Sequence, residues 1–111
     1  SIRLNHVPVA LRPGMLTSNE PGLYRAGIHG IRCEHLVLTV DALTTELGRF
    51  YRFEPMTLFP WDLSLFDTAI MTQEEINWVN GYHDEVYRRL SPRLDEAQKA
   101  WLREKTSELK K

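Results

Sequence analysis

Two glutamates stand in settings that are unusual for a solvated carboxylate. Glu20 opens a Glu-Pro-Gly turn, in which Gly22 permits a positive φ, and Glu34 closes the segment Gly-Ile-Arg-Cys-Glu at the start of an apolar strand face. A buried carboxylate is costly unless it pairs with a cation or binds a metal ion. The two side chains therefore predict a metal or acid/base site. The alternative is structural, with Glu20 capping a turn and Glu34 pairing with Arg12 or Arg25.

The other residues of chemical interest indicate structural roles. No two of the four histidines have the spacing of metal ligands. His35 and His83 are predicted to pack in the core, whereas His6 and His29 are predicted to be solvated. Cys33 is predicted to be a small buried side chain and not a nucleophile, because no cluster of oxyanion-hole glycines follows it. The sequence contains neither a Gly-rich phosphate loop nor a G-x-S-x-G elbow.

The elements that would position the carboxylates lie in the first two thirds of the chain, which predict β structure. Residues 31–40 form the strongest predicted strand. Period-two alternation places Arg32 and Glu34 on one face, and Cys33 on the other face with the odd-numbered residues that follow it. Both faces become apolar, which is typical of a central strand. Another strand is predicted over residues 49–58, and its proline indicates an edge or a bulge.

Two helices are predicted to close the chain, which makes the fold class α+β. Thr72 and Glu75 form a capping box, and apolar side chains then recur at helical spacing as far as Leu90, where Ser-Pro ends the helix. The second helix is predicted over residues 95–106, and residues 108–111 are predicted to fray from it. The side chains of this helix region that are predicted to face the core are Leu94, Ala97 and Trp101.

The composition excludes several classes of protein. The 111 residues are 42% hydrophobic and 26% charged, which excludes a disordered or fibrous chain. A net charge of −1 provides no basic excess for non-specific nucleic-acid binding, and no apolar run is long enough to span a membrane. A single cysteine favours a reducing compartment. Because the chain starts at Ser1 without a methionine or a signal region, we expect a processed chain or a piece of a longer protein.

Four motifs follow one another in the chain: TSNEPGLY at 17–24, GIRCE at 30–34, FEPMTL at 53–58 and WVNGYH at 78–83. Together they resemble the C-terminal part of the Xaa-Pro aminopeptidases. These are dinuclear metallopeptidases with the pita-bread fold that methionine aminopeptidase, prolidase and creatinase share. The resemblance covers nearly the whole chain, and the ordered series is more specific than any single motif.

The resemblance implies roles for three residues. Glu20 would bind one metal ion and take a proton from the attacking water, and Glu34 would bridge two ions. Arg32 would support the hydrogen bonding around them. Two divalent ions held by hard oxygen ligands suit manganese, and such a pair activates water for attack on a peptide carbonyl.

The resemblance also implies that this chain carries only part of the site. In the family, two aspartates and a histidine complete the metal site, and all three would precede Ser1. With two of five ligands, the chain by itself is expected to bind no metal and to be inactive. We expect a single partial domain, with the metal ligands in residues 1–71 and a helical extension in residues 72–111. Without its N-terminal half, this domain would cover its sheet edges by self-association, for example as a homodimer.

The parent protein implied by the resemblance hydrolyses the bond between an N-terminal residue and a following proline, in the cytoplasm and without nucleic-acid or membrane partners. One alternative is a pita-bread domain that has lost catalysis and binds proteins or peptides, although such a domain has no need for two metal-ligating carboxylates. The other is an α+β interaction domain with an accidental likeness, against which the number of ordered motifs argues.

Overall fold

The computed structural model describes residues 9–111, which fall into two compact units that divide between Thr57 and Leu58. The described strands lie in the first unit and the helices in the second, so the predicted α+β order is confirmed. His6, which is predicted to be solvated, lies outside the described residues. Between residues 9 and 111 there is no helix with the length and apolar character needed to cross a membrane.

The first unit contains two antiparallel sheets. Its strands are β1 (Leu16–Asn19), β2 (Gly22–Arg25), β3 (His29–Arg32), β4 (His35–Thr45) and β5 (Gly48–Pro55). β2 and β3 form a two-stranded sheet, and the other sheet has the order β1-β4-β5. β4 is therefore a central strand, as predicted. β5 lies at an edge of the sheet, which confirms the edge position that its proline predicted. The strand ends at Pro55, because proline has no N–H for a further ladder hydrogen bond.

The strand predicted over residues 31–40 is in fact two strands in different sheets. β3 ends at Arg32 and β4 begins at His35, so the two residues between them belong to neither sheet. The chain that runs opposite is interrupted at the same level, where Pro21 separates β1 from β2. Because Pro21 has no N–H to donate, a regular ladder cannot continue through this point.

Burial along β4 follows the predicted period of two. His35, Val37 and Thr39 are buried, whereas Leu36 on the other face is 45% exposed. Burial disfavours the charged form of the imidazole and lowers the pKa of His35, in agreement with its predicted place in the core. The prediction that Cys33 is buried is wrong, since this residue is exposed. It lies in the break before β4, where the alternation of a strand no longer applies.

Two helices, α1 (Gln73–Leu90) and α2 (Glu96–Lys105), make up most of the second unit. α1 begins at the predicted capping box: the Thr72 hydroxyl accepts a hydrogen bond from the Glu75 N–H, and the Glu75 carboxylate accepts one from the Thr72 N–H at 2.8 Å. The Thr72 hydroxyl also donates a hydrogen bond to this carboxylate at 3.0 Å, and the two bonds that the carboxylate accepts lower the pKa of Glu75. α1 ends where predicted, and a short 3-10 turn, Ser91–Arg93, follows it.

The apolar stripe of α1 contributes to two hydrophobic clusters. One cluster is closed by a residue that follows α2, and the other by a residue of α2 itself. Their buried members are Ile76, Val79 and Leu109 in the first cluster and Tyr82, Val86 and Leu102 in the second.

The face of α2 that packs in the core differs from the predicted one. Its buried side chain is Leu102, whereas Ala97 is exposed and Trp101 is 48% exposed. One residue corresponds to a rotation of about 100° around a helix, so a shift of one position changes the buried face. Leu94 packs against the second cluster, as predicted. The predicted fraying of the chain end is wrong for Leu109, which is only 9% exposed.

Side chains of α1 bind the main chain of the segment that precedes the helix. The Tyr82 hydroxyl donates a hydrogen bond to the Phe59 carbonyl at 2.8 Å and accepts one from the Phe59 N–H at 3.3 Å. The Nε2 atom of His83 accepts a hydrogen bond from the Trp61 N–H at 2.9 Å. Burial lowers the pKa of His83, although Asp84 opposes this effect. His83 is 1% exposed, which confirms its predicted structural role.

Leu102→Ala is expected to lower the free energy of unfolding by about 2–5 kcal/mol, because it leaves a cavity where a side chain 2% exposed now packs. Leu65→Ala is the matched control. Leu65 is 77% exposed, so the same change there is expected to cost less than about 0.5 kcal/mol. Chemical denaturation measures both values. Equal losses in the two variants would contradict the packing described for α2.

Acidification is expected to destabilise the second unit through His83. Its pKa is lowered in the folded chain, so near the ordinary pKa of about 6.5 the unfolded chain binds more protons. The free energy of unfolding therefore decreases as the pH falls through about 6.5. His83→Gln keeps a hydrogen-bond acceptor but cannot titrate. It is therefore expected to weaken the pH dependence of the free energy of unfolding between about pH 5 and pH 7. The pH dependence that remains would come from His35, whose pKa is also lowered by burial.

Chemical denaturation at several pH values across this window measures the effect. A wild-type stability that does not change with pH, or an unchanged slope in the variant, would show that His83 does not carry the dependence.

Candidate metal centre

One antiparallel register runs through both sheets and places Glu20 opposite Glu34. The ladder between β1 and β4 ends at the pair formed by Asn19 and His35. The ladder between β2 and β3 resumes three residues away on each chain, without a shift in register. The residues inside the break therefore face each other in the same order. Directly opposite residues have Cβ atoms about 4.5–5.5 Å apart, so the two carboxylates extend from neighbouring positions.

The break between the two ladders follows from the residue types that form it. Pro21 lies opposite Cys33 and has no N–H to donate, but its carbonyl accepts a hydrogen bond from the Cys33 N–H at 3.1 Å. This hydrogen bond keeps the two chains in register across the irregular stretch. The break therefore changes the local backbone without separating the strands that carry the glutamates.

Gly22 provides space for an aromatic ring, and does not serve a special backbone conformation. The glycine permits a positive φ but does not adopt one, since the positive-φ glycines of the described chain are Gly14, Gly27 and Gly48. A Cβ atom at Gly22 would lie 2.6 Å from the Tyr24 hydroxyl oxygen. A Cβ at Gly30, on the paired strand, would lie 2.8 Å from a ring carbon of the same tyrosine. The two glycines thus allow the ring to lie against both strands beside the break.

The guanidinium group of Arg32 contacts both carboxylates. Its Nη1 atom lies 3.3 Å from Oε2 of Glu20, and its Nε atom lies 3.3 Å from Oε2 of Glu34. The Ser18 hydroxyl donates a hydrogen bond to Oε1 of Glu20 at 2.8 Å. Because arginine remains protonated in proteins, one positive charge holds two opposed negative charges. All three charged side chains are partly exposed, from 33% for Glu20 to 48% for the other two, so these pairs contribute little to stability.

The donor atoms of this site suit a hard divalent cation. The two opposed carboxylates offer oxygen ligands without sulfur or imidazole, a set that favours ions such as magnesium and manganese. Like charges directly opposite each other on paired strands are destabilising, and a bound cation would relieve this repulsion. Within residues 9–111 there is no group of three or more histidine, cysteine, aspartate or glutamate side chains that could hold a metal ion. The pair of glutamates fits a metal site as one part of its ligand set.

The structure brings together the two glutamates and the arginine that the sequence singles out. The sequence left Arg12 and Arg25 open as partners of Glu34, whereas the described ion pair of Glu34 is with Arg32. Sequence reasoning did not find Ser18. The signal for it is its position two residues before Glu20, because side chains two residues apart lie on the same face of an extended chain.

Comparison with known proteins gives matches along nearly the whole chain. The family model described as the C-terminal region of peptidase_M24 matches residues 49–109. A probable Xaa-Pro aminopeptidase P from Coprinopsis cinerea is 37% identical, over 96% of this chain and 18% of its own length. Xaa-Pro aminopeptidase 2 from Homo sapiens is 33% identical, over 91% of this chain and 16% of its own length.

The fold also matches a solved structure, that of X-prolyl aminopeptidase from Caenorhabditis elegans, described as a cytosolic enzyme with a di-nuclear active site. The match has a TM-score of 0.79 and 31% identity, and covers 89% of this chain and 17% of the other. It confirms the predicted C-terminal part of a pita-bread fold. The chain spans less than a fifth of the length of these relatives. It belongs to the peptidase M24 family and corresponds to the C-terminal part of the Xaa-Pro aminopeptidases.

Proposed function

We propose that this chain is part of the catalytic domain of a metal-dependent aminopeptidase. The whole enzyme would hydrolyse the peptide bond between an N-terminal residue and a following proline. The observation that carries the proposal is the placement of Glu20 directly opposite Glu34, with the Arg32 guanidinium in contact with both. The named activity of the relatives supports the choice of substrate, because their matches cover more than nine tenths of this chain.

The two glutamates would hold a pair of divalent metal ions, which we propose to be manganese. When bound, two such ions polarise a scissile carbonyl and lower the pKa of water. Glu34 would contact both ions, and Glu20 would contact one. The carboxylate of Glu20 would also accept a proton during the reaction. Its contact with the Ser18 hydroxyl is made through Oε1 and its contact with Arg32 through Oε2, so both of its oxygens are oriented by the protein.

Arg32 would act as a positioning residue. Its Nε and Nη1 atoms contact different glutamates, so the rigid guanidinium plane fixes the distance between the two carboxylates. A lysine at this position has one compact ammonium group and cannot reproduce the two separate contacts. The arginine would therefore keep the carboxylates aligned while their charges oppose each other.

The rest of the site would come from other parts of the whole protein. The chain contributes two ligands, so we expect it to be inactive by itself and to require the N-terminal half of the catalytic domain. Self-association of the isolated chain and a cytoplasmic location for the whole enzyme belong to the same proposal. The location is consistent with the cytosolic enzyme from Caenorhabditis elegans that the fold matches.

In the whole protein, Glu34→Ala is expected to lower the rate of Xaa-Pro peptide cleavage by at least about a thousandfold, because it removes the ligand shared by both ions. Glu46→Ala is the matched control. Glu46 is an exposed glutamate between β4 and β5, and its replacement is expected to leave turnover unchanged. Steady-state assays with saturating Mn²⁺ measure both variants.

Near-normal turnover of the Glu34 variant would reject the bridging role. A wild-type protein that binds Xaa-Pro peptides without cleaving them would instead favour a non-catalytic peptide-binding domain.

The isolated chain is expected to bind Mn²⁺ no more tightly than about millimolar, the weak end of sites built from carboxylates. Two carboxylates that also share a guanidinium provide too few ligands for a tight site. Titration calorimetry of the 111-residue chain measures the affinity, with Glu34→Gln as the control for binding elsewhere. A micromolar site that this substitution abolishes would mean that the chain carries further ligands.

A further inference from the structure

The segment that follows α2 returns to α1 and is held there by one side chain. The Nδ2 atom of Asn80 donates a hydrogen bond to the Leu109 carbonyl at 3.0 Å, and its Oδ1 atom accepts one from the Leu109 N–H at 2.8 Å. A single carboxamide therefore satisfies both main-chain groups of one residue. Paired residues of neighbouring β-strands exchange the same two hydrogen bonds, and here a side chain takes the place of the second strand.

The side chain of the same leucine is buried in a hydrophobic cluster. Leu109 is 9% exposed and packs with Ile76, which is 1% exposed, and Val79, which is 5% exposed. Ile76 and Val79 lie on α1 within one helical turn of Asn80, so the apolar contact and the carboxamide lie on neighbouring positions of the helix. Partly buried side chains complete the cluster: Leu63, Phe66 and Met71.

The path of the chain from α2 to this site is fixed at its start. The N–H and hydroxyl groups of Thr106 both donate hydrogen bonds to the Leu102 carbonyl, at 2.9 and 2.8 Å. Both contacts hold Thr106, the C-cap residue, against the last turn of α2. Ser107 and Glu108 are exposed, so Leu109 is the residue of the following segment that makes a buried contact. The family match extends through this leucine, four residues beyond the end of α2, so the segment belongs to the family's own C-terminal region.

We propose that Ile76, Val79 and Asn80 form a peptide-binding site on α1 that the chain's own residues 107–109 occupy as a strap. The apolar pair takes a leucine side chain, and the carboxamide binds the main chain of the same residue. The strap binds and releases as a unit, while α1 and α2 stay folded. Asparagine suits this role because it offers a donor and an acceptor together, which neither aspartate nor serine provides in the same geometry.

Amide hydrogen exchange with the 111-residue chain tests the strap. Asn80→Ala is expected to reduce the protection of the Leu109 N–H by about 10- to 100-fold, since each of the two hydrogen bonds contributes up to about tenfold. Protection of the Val86 N–H, on a fully buried part of α1, is expected to change by much less. Asn77→Ala is the matched control, because Asn77 is an exposed asparagine one turn earlier whose carboxamide contacts Gln73.

Equal losses of protection at Leu109 and Val86, or no difference between the Asn80 and Asn77 variants, would overturn the proposal. If Asn80→Ala prevents folding, the wild-type chain decides the question. With low concentrations of denaturant, protection of Leu109 is expected to depend less on denaturant than protection of Val86, because only a short segment opens. The same denaturant dependence at both amides would show that residues 107–109 have no independent opening.

Discussion

Two negative charges that face each other on paired strands are the constraint on which the rest of the first unit depends. The register of both ladders fixes Glu20 opposite Glu34, and like charges in this arrangement are destabilising. The surrounding residues compensate for this cost. Arg32 supplies one positive charge to both carboxylates, and Ser18 supplies a hydrogen bond to one of them. Carboxylates held together in this way are chemically useful when cations bind between them, which is the reason for proposing a metal site here.

The break in the strands leaves this placement intact. A regular ladder would continue the backbone hydrogen bonds of both chains through the site. Instead Pro21 interrupts the hydrogen bonding of one chain, and the Cys33 N–H maintains the register from the other. The exposed Cys33 lies in this break, and the ring of Tyr24 lies beside Gly22 and Gly30 in the adjoining ladder. The Glu-Pro-Gly and Gly-Ile-Arg-Cys-Glu motifs are thus two sides of one interrupted hairpin.

The second unit is held together by a different principle, in which polar side chains of α1 bind main-chain groups of other segments. Tyr82 binds both main-chain groups of Phe59, and His83 binds the N–H of Trp61. Contacts of this kind fix the path of a segment whatever side chains that segment carries. They give a structural role to the polar residues of the Trp78–His83 motif, which the proposed metal site leaves unexplained.

Local signals in the sequence were sufficient for the helices and for the buried face of β4. The capping box at Thr72 and the alternation from His35 to Thr39 each depend on neighbours in the chain, and the structure contains both. The break before His35 could not be predicted in this way, because it depends on a proline in the opposite strand. Nor could the buried face of α2, since a change of one residue selects Leu102 in place of Trp101.

The candidate site could likewise be predicted from the sequence only in part. The sequence indicated Glu20 and Glu34 as a pair, but the bridging contact of Arg32 with both became visible only in the structure. Arginines at several positions could have reached one glutamate or the other, and the sequence gives no distances between strands. The register of the two ladders supplied the missing information.

Anomalous X-ray diffraction from crystals of the whole protein with Mn²⁺ shows whether the two glutamates bind metal ions. We expect two manganese peaks, both within coordination distance of the Glu34 carboxylate, about 2.0–2.6 Å, and one of them also within that distance of Glu20. Manganese peaks remote from both glutamates, with the ion pairs to Arg32 unchanged, would contradict this expectation.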